Sequence, residues 1–236
     1  MLDVLPLPRF DLPRAARALS ALLRDPDDLP QVFTLIETMS GTAPHRLLMG
    51  LRRSASGARL LREEPDIVPL LADRDALRAL PAGSLGRAYL AFVESEKISP
   101  EGIRDASAAG EVERHEAFRY VHQRMRDTHD LWHAATGYKG DVVGELALLA
   151  FTLAQNWNSA VAVIIAAALV KGFGRGSASL ILDGYRRGRA AAWLPEQEWE
   201  SLLALPLEDV RALLKLEAPA VYTPVRTSEL RAEGVI

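Results

Sequence analysis

The chain has 236 residues, with 28 basic against 31 acidic side chains, a formal net charge of −3 and no cysteine. The absence of cysteine excludes disulfide scaffolds, thiolate zinc sites, cysteine nucleophiles and iron–sulfur clusters. The near-neutral charge lacks the clustered cationic surplus that phosphate neutralisation requires, so we expect no nucleic-acid partner.

The composition predicts an all-α protein. Leu and Ala, both strong helix formers, supply 73 of the 236 residues, and no segment alternates β-branched residues for long enough to indicate a strand. Proline and glycine interrupt the chain at intervals of about one helix length. We therefore predict a single domain of about ten to twelve helices over residues 1–216, followed by a Pro-containing tail over residues 217–236.

The start of the chain and several helix boundaries are predicted from local signals. Asp3 and two early prolines argue against a signal or transit peptide, so we expect a cytoplasmic location. Ser99 and Asp141 are predicted N-caps, and Ser99 is followed by Pro100 at the first helical position. The predicted helices span residues 14–24, 30–39, 44–54, 56–63, 67–79, 84–96, 100–108, 111–136, 141–170, 178–193, 196–204 and 207–216.

One uncharged stretch runs from Leu146 to Val170. Its 25 residues are enough in principle to cross a bilayer. The polar cluster Gln155-Asn156-Trp157-Asn158 divides it into apolar pieces of 9 and 12 residues, each too short to span. We therefore predict a buried helix rather than a membrane span.

Side chains of metal-ligand type cluster in His129-Asp130-Leu131-Trp132-His133. On a helix, positions i, i+1 and i+4 lie at about 0°, 100° and 40° around the axis, so all three ligand-type side chains share one face. Gly137 ends this helix, and Glu145 lies about one turn into the next helix, which must run back antiparallel. Because its carboxylate is then level with the imidazoles, we predict a divalent-metal site with N and O ligands. Zinc is the default metal, Fe²⁺ or Mn²⁺ would also fit, and three or four protein ligands leave the open position of a catalytic site.

Three further polar residues are candidates near this cluster. His122 lies on the same helix and is interpreted first as part of the inward stripe of an amphipathic helix, with support of the metal ligands by hydrogen bonding as the less favoured alternative. Arg126 and Arg189 are candidates for binding an anionic head group, because guanidinium forms a bidentate fork with carboxylate or phosphate. The alternative for both arginines is a solvated helix face.

The apolar helix that follows Glu145 suggests a binding wall. Phe151, Ile164 and Ile165 are predicted to hold a long hydrophobic tail whose polar head lies at the metal. Ordinary core packing is the alternative for all three residues.

The residues around the cluster resemble a known family. The segment from Tyr120 to His133, followed by the segment from Gly144 to Phe151, is similar to the signature His-Asp-x-x-His-x(11)-Glu of the ubiquinone (coenzyme Q) biosynthesis protein four family. His122 stands where that family is expected to have an apolar residue. The similarity covers most of residues 30–216 and includes Leu80-Pro-Ala-Gly-Ser-Leu-Gly-Arg-Ala-Tyr89, Gly188-Arg189-Ala and Trp199-Glu200.

The resemblance implies an all-helical bacterial homologue with zinc held by His129, Asp130, His133 and Glu145. It also implies removal of the C1 carboxylate from a polyprenylated hydroxybenzoate, with hydroxylation at that carbon, and organisation of other ubiquinone-biosynthesis enzymes at the membrane. Asp130 or Glu145 would act catalytically by moving a proton, while the metal acts as a Lewis acid. Zinc cannot supply electrons, so an oxidative step needs either direct reaction of oxygen with the phenol or a redox-active native metal.

Other readings stay open at this point. The chain could be a non-catalytic scaffold that binds a polyprenyl lipid and presents it to partner enzymes. It could be a metal-dependent phosphohydrolase, which needs further His and Asp ligands and a binuclear site, or a plain helical domain with a coincidental polar cluster. We also expect a homodimer, with membrane contact confined to peripheral binding on the cytoplasmic face of the inner membrane.

Overall fold

The computed structural model describes residues 10–108, 116–173, 176–217 and 221–236. These residues form helices and no strand, which confirms the all-α prediction. The helices are α1 (Leu12–Leu22), α2 (Leu29–Met39), α3 (Ala43–Arg53), α4 (Ala55–Glu63), α5 (Val68–Ala72), α6 (Arg74–Ala79), α7 (Leu85–Glu96), α8 (Pro100–Ala108), α9 (Glu116–Asp127), α10 (His129–Thr136), α11 (Val142–Asn156), α12 (Ser159–Lys171), α13 (Ala178–Ala190), α14 (Trp199–Leu202), α15 (Leu207–Leu214) and α16 (Thr227–Ala232), with a 3-10 helix, Leu194–Glu196, between α13 and α14.

The described residues form more helices than the predicted ten to twelve, in part because short polar residues divide long predicted helices. Asp73 separates α5 from α6, and its side chain accepts a hydrogen bond from the Ala76 N–H at 2.9 Å. Thr128 separates α9 from α10, and its hydroxyl donates to the Arg124 carbonyl at 2.8 Å. Short polar side chains compete in this way with the helical hydrogen bonds, so they favour helix boundaries over helix interiors.

The uncharged stretch is also divided, at Trp157. This residue has φ 54°, outside the helical region, and Asn158 caps α12 by accepting from the Ala160 N–H at 2.9 Å. The Asn156 side chain in turn accepts from the Asn158 N–H at 3.0 Å. Across the ranges that the structure describes, no helix has both the length and the apolar character needed to cross a membrane.

Close packing of α13 on α11 fixes the position of α11. Gly184 and Gly188 of α13 face the backbone of α11, where added Cβ atoms would lie 2.3 Å from the Ala147 carbonyl oxygen and 2.4 Å from that of Phe151. Only glycine permits this approach of the two backbones. Helix α10 also packs against α11 and is almost entirely buried. The ring of Trp132 on α10 is 6.2 Å from the ring of Phe151 on α11.

The chain beyond residue 216 adds a helix that the sequence analysis does not predict. Leu230 of α16 is buried, and the segment before α16 contacts Asp141, the N-cap of α11. The Tyr222 hydroxyl donates to Asp141 Oδ2 at 2.7 Å, and the Val225 N–H donates to Asp141 Oδ1 at 2.9 Å. The C-terminal residues therefore hold the start of α11 in place.

Candidate metal centre

The predicted ligands are positioned by two helix ends and the short loop between them. His129 and His133 lie on α10, which ends at Gly137 with φ 84°. The chain then turns, and Asp141 starts α11 by accepting hydrogen bonds from the Val143 and Gly144 N–H groups at 3.1 and 3.3 Å. Glu145 consequently lies in the first turn of α11, directly beside the imidazoles of α10.

Three of the predicted ligands, His129, Asp130 and His133, form one compact group, and Glu145 lies beside both histidines. His133 Nε2 lies 3.1 Å from Glu145 Oε1, and His129 Nε2 lies 3.9 Å from Glu145 Oε2. His129 Nδ1 lies 3.2 Å from Asp130 Oδ1. One ligand atom from each of His129, Asp130 and His133 can be chosen so that all three lie within 4.8 Å of one another. Two imidazoles and two carboxylates supply the donor set that zinc, Fe²⁺ or Mn²⁺ accepts.

His133 has the hydrogen bonding of a metal ligand. Its Nδ1 donates to the Tyr138 carbonyl at 3.0 Å, which leaves the lone pair on Nε2. The ring is 1% exposed and stacks on Phe92 with 4.7 Å between centroids. Among the described residues, this buried Nε2 is assigned no hydrogen-bond partner, and it lies 3.1 Å from Glu145 Oε1. A buried nitrogen with an unused lone pair, facing a carboxylate, fits a coordinated metal ion.

The charges of the site are coupled. Burial by itself would lower the pKa of His133, but the neighbouring Glu145 and Asp130 carboxylates and the Tyr138 carbonyl outweigh it and raise that pKa. Burial by itself would raise the pKa of Glu145, but His133 and His129 hold it below its usual value. Without a metal, Glu145 is therefore a carboxylate that favours the protonated form of His133.

Three of the four predicted ligands, His129, Asp130 and Glu145, lie on the wall of a cavity of about 520 Å³, a size typical of small-ligand sites. His133 does not line the cavity; it lies behind Glu145. The Glu145 side chain is 41% exposed, and it faces this cavity. The same face of α11 continues the wall with Leu149, Thr152 and Asn156, at spacings of four, three and four residues. From Glu145 to Asn156 the wall extends about 16 Å along the helix axis.

Apolar side chains supply most of the remaining wall, so the cavity has a polar end at the ligands and an apolar body. They come from α1, α2, α3, α7, α9, α11, α12 and the loops beside them. Among them are Leu19, Leu22, Leu23, Val32, Phe33, Ile36, Leu47, Phe92, Val121, Met125, Leu146, Val161, Ile164 and Phe173.

The other predicted site residues divide into two groups. His122, Arg126 and Ile164 line the cavity. The Arg126 side chain is 12% exposed, and its Nε donates to Asp127 Oδ1 at 2.7 Å.

The structure does not bring Phe151, Ile165 and Arg189 to this cavity. Phe151 is fully buried on the side of α11 that packs against α10 and α13. Ile165 packs in an apolar cluster with Phe173 and Leu230 and does not itself line the cavity. Arg189 is exposed near the end of α13. The binding roles predicted for these three residues therefore stay predictions without a place at this cavity.

Several cavity residues escape the sequence analysis. Phe92 and Glu96 lie four residues apart on α7 and both line the cavity, a spacing that a search for pairs on one helix face could have found. Arg226 also lines the cavity, close to Gly140 in the loop before α11. No local pattern marks Arg226, because its partners lie far away in the sequence.

The candidate metal ligands also bear on the phosphohydrolase alternative. In the ranges that the structure describes, no second group of three or more His, Asp or Glu side chains forms a potential metal site. The described residues thus do not supply the binuclear site that a phosphohydrolase reading requires.

Comparisons with known proteins show which family the chain resembles. The family model described as "Coenzyme Q (ubiquinone) biosynthesis protein Coq4" matches residues 12–220. The human mitochondrial ubiquinone biosynthesis protein COQ4 homolog is 34% identical over 130 residues, which cover 53% of this chain and 48% of the relative. The mitochondrial coq4 protein of Talaromyces stipitatus is 31% identical over 185 residues, which cover 77% of this chain and 63% of the relative. The chain thus spans about half to just under two thirds of these curated relatives.

A solved structure has a similar fold. A crystal structure of a protein from Nostoc punctiforme superposes with a TM-score of 0.67, covering 89% of this chain and 100% of that chain. At 20% sequence identity, this likeness concerns the fold alone.

Proposed function

Because the chain belongs to the coenzyme Q (ubiquinone) biosynthesis protein Coq4 family, we propose that it acts in ubiquinone biosynthesis on the head group of a polyprenylated hydroxybenzoate. The proposed reaction removes the C1 carboxylate. The observation that carries the proposal is a cluster of metal-ligand side chains at one end of an elongated cavity whose body is apolar. Such a cavity suits an aromatic carboxylate joined to a hydrophobic tail.

Each side chain of the cluster has a proposed task. His129, Asp130, His133 and Glu145 would hold the metal, with zinc as the default and Fe²⁺ or Mn²⁺ as alternatives. The bound metal would supply Lewis acidity toward the carboxylate or phenolic oxygen of the head group. The Tyr138 carbonyl holds His133 in the tautomer that leaves Nε2 available.

Proton transfer falls to the carboxylates. When the bond between C1 and the carboxylate breaks, carbon dioxide leaves and the electron pair stays on the ring, so a proton must reach C1. Glu145 and Asp130 line the cavity and are the candidates to deliver that proton from water. In the oxidative form of the reaction, carbon dioxide leaves and C1 gains a hydroxyl group, which is a two-electron oxidation. Water would supply the hydroxyl oxygen, and dioxygen would accept the two electrons and two protons and leave as hydrogen peroxide.

A non-catalytic scaffold is the second candidate. If Glu145 joined the group of His129, Asp130 and His133, four protein ligands would fill a tetrahedral site completely, which is typical of structural zinc. In that case the cavity would hold the lipid and present it to other ubiquinone-biosynthesis enzymes.

The proposed ligand also suggests where the protein acts. A ligand with a long apolar tail resides in membranes, so a cytoplasmic protein that binds it would contact the membrane surface peripherally. A homodimer is proposed as the working form.

The test combines metal analysis with turnover. The protein is purified anaerobically, its metal content is measured, and it is incubated with a polyprenylated hydroxybenzoate, with and without oxygen, before mass detection of carboxylate loss. We expect His133→Ala to lose both metal and product, and His45→Gln, which lies away from the cavity, to retain both. Product formation by metal-free His133→Ala would refute the proposal. Metal and lipid binding without product from the wild-type protein would favour the scaffold.

A further inference from the structure

We propose that Arg226 determines specificity by binding the anionic group of the ligand, with Glu96 as its counter-ion when no ligand is bound. This proposal rests on the proposed function for the class of ligand, an aromatic carboxylate. Arg226 lies beyond residues 12–220, which the family model matches.

Arg226 is held at the same cavity as the metal ligands. Its Nη1 lies 2.6 Å from Glu96 Oε2, and its Nη2 lies 3.2 Å from Glu96 Oε1, so the pair is bidentate. Nη1 also donates to the Gly140 carbonyl at 3.2 Å, and the Gly140 N–H donates to Glu96 Oε1 at 3.3 Å. Arg226, Glu96 and Gly140 all line the cavity that contains Glu145.

The backbone beside Arg226 is fixed, so its guanidinium is presented from a defined position. The Val142 N–H donates to the Val225 carbonyl at 2.9 Å, and the Val225 N–H donates to the Asp141 carboxylate. The Arg226 N–H itself donates to Glu229 Oε2 at 2.9 Å. The start of the helix that carries Glu145 therefore also positions Arg226.

Exposure distinguishes the two arginines of the cavity. Arg126 is 12% exposed and is paired with Asp127, which is itself 6% exposed. Arg226 is 48% exposed, whereas its partner Glu96 is 9% exposed. Among the hydrogen bonds that the described residues form, none uses Arg226 Nε. Arg226 is thus the cavity arginine with donor capacity that a ligand can reach.

The charges at the end of the cavity that carries the predicted metal ligands also favour this role of Arg226. The cavity wall carries the carboxylates of Glu96, Asp130 and Glu145 at this end, and two of these are proposed metal ligands. A carboxylate on the ligand would be repelled by Glu96 unless Arg226 stood between them. Guanidinium has five N–H donors and can bind two carboxylates at once, so Arg226 can accept the ligand without releasing Glu96.

The experiment measures equilibrium binding of two ligands by calorimetry, using protein loaded with the metal found in the purified wild type. The ligands are a prenylated 4-hydroxybenzoate and the matching prenylated phenol, which lacks only the carboxylate. We expect Arg226→Gln to weaken binding of the acid about tenfold or more and to leave binding of the phenol unchanged. The control is Arg231→Gln on α16, which removes an exposed ion pair with Asp25; neither residue lines the cavity, so this variant should alter neither affinity.

A second variant predicts the opposite sign. Glu96→Gln removes the competing carboxylate but keeps an oxygen that can accept from Gly140, so we expect it to bind the acid more tightly while the phenol is unaffected. This variant also tests the proposal if Arg226→Gln does not fold.

The outcomes separate this proposal from the proposed function. Arg226→Gln with the wild-type ratio of acid to phenol affinity, or Glu96→Gln with no gain for the acid, would overturn the role of Arg226. Failure of the wild-type protein to release carbon dioxide would refute the decarboxylation alone, because the ratio of affinities does not depend on turnover.

Discussion

Asp141 is the residue whose loss should most clearly weaken the start of α11. Its carboxylate accepts four hydrogen bonds, from the N–H groups of Val143, Gly144 and Val225 and from the Tyr222 hydroxyl, and it is 1% exposed. Losing an N-cap alone costs about 0.5–2 kcal/mol. Removing the acceptor also leaves the Val225 N–H and the Tyr222 hydroxyl without their partner, and each bond to a charged group is worth about 1.5–3 kcal/mol.

Bonds in one network are not additive, so we expect Asp141→Ala to lower the free energy of unfolding by about 3–5 kcal/mol in total. That is a large share of the roughly 5–15 kcal/mol that stabilises a typical protein. We also expect weaker metal binding, because Glu145 follows Asp141 by a single turn.

The assay is urea unfolding followed by tryptophan fluorescence. Asp73→Ala is the matched control, because exposed Asp73 caps α6 through a single hydrogen bond to the Ala76 N–H at 2.9 Å. It should cost about 1 kcal/mol. Equal losses for the two variants would refute the reasoning, since they would mean that the contacts of Asp141 with the C-terminal segment contribute nothing.

Three further predictions follow from the helix packing, the ligand charges and the cavity wall. Gly188→Ala should force α13 away from α11 and lower the free energy of unfolding by about 1–3 kcal/mol, whereas Gly102→Ala, with only Ser99 Oγ at 3.6 Å, should be neutral or stabilising in the same urea assay. In metal-free protein, protonated His133 stabilises the fold, and this contribution is lost as the pH rises through the raised pKa of His133. Ionised Glu145 also stabilises the fold, and its contribution is lost as the pH falls through the lowered pKa of Glu145. Urea unfolding across a pH series should therefore show that the pair contributes its full share of the free energy of unfolding between pH 4.5 and pH 6.5, the ordinary pKa values of Glu and His. His133→Gln should abolish this contribution. Leu149→Trp should fill the cavity and weaken binding of a prenylated ligand in calorimetry without loss of metal, and exposed Leu182→Trp should do neither.

The proximity of the candidate ligands could be predicted because their geometry is local. His129, Asp130 and His133 share a helix face through spacing alone, and that spacing holds even though α10 is a separate short helix rather than the end of a long one. Glu145 could be placed because the loop is short and the Asp141 cap is visible in the sequence.

The side of α11 that lines the cavity could not be predicted from the sequence. Buried residues lie all around α11, so its apolar pattern does not indicate which face meets the cavity. Leu149 faces the cavity and Phe151 the core, but both are large, apolar and within two residues of each other. Only the position of α13, set by Gly184 and Gly188, distinguishes the two faces.

Arg226 and Glu96 show why the rest of the site required the fold. They are 130 residues apart in the sequence, and each has the exposed, charged character of an ordinary surface residue when its neighbours are read locally. The hydrogen bonds of Asp141 to Tyr222 and Val225 bring the C-terminal segment to the start of α11. The carboxylate that starts α11 therefore also places a guanidinium at the cavity, so the proposed metal site and the proposed site for an anionic head group share one structural anchor.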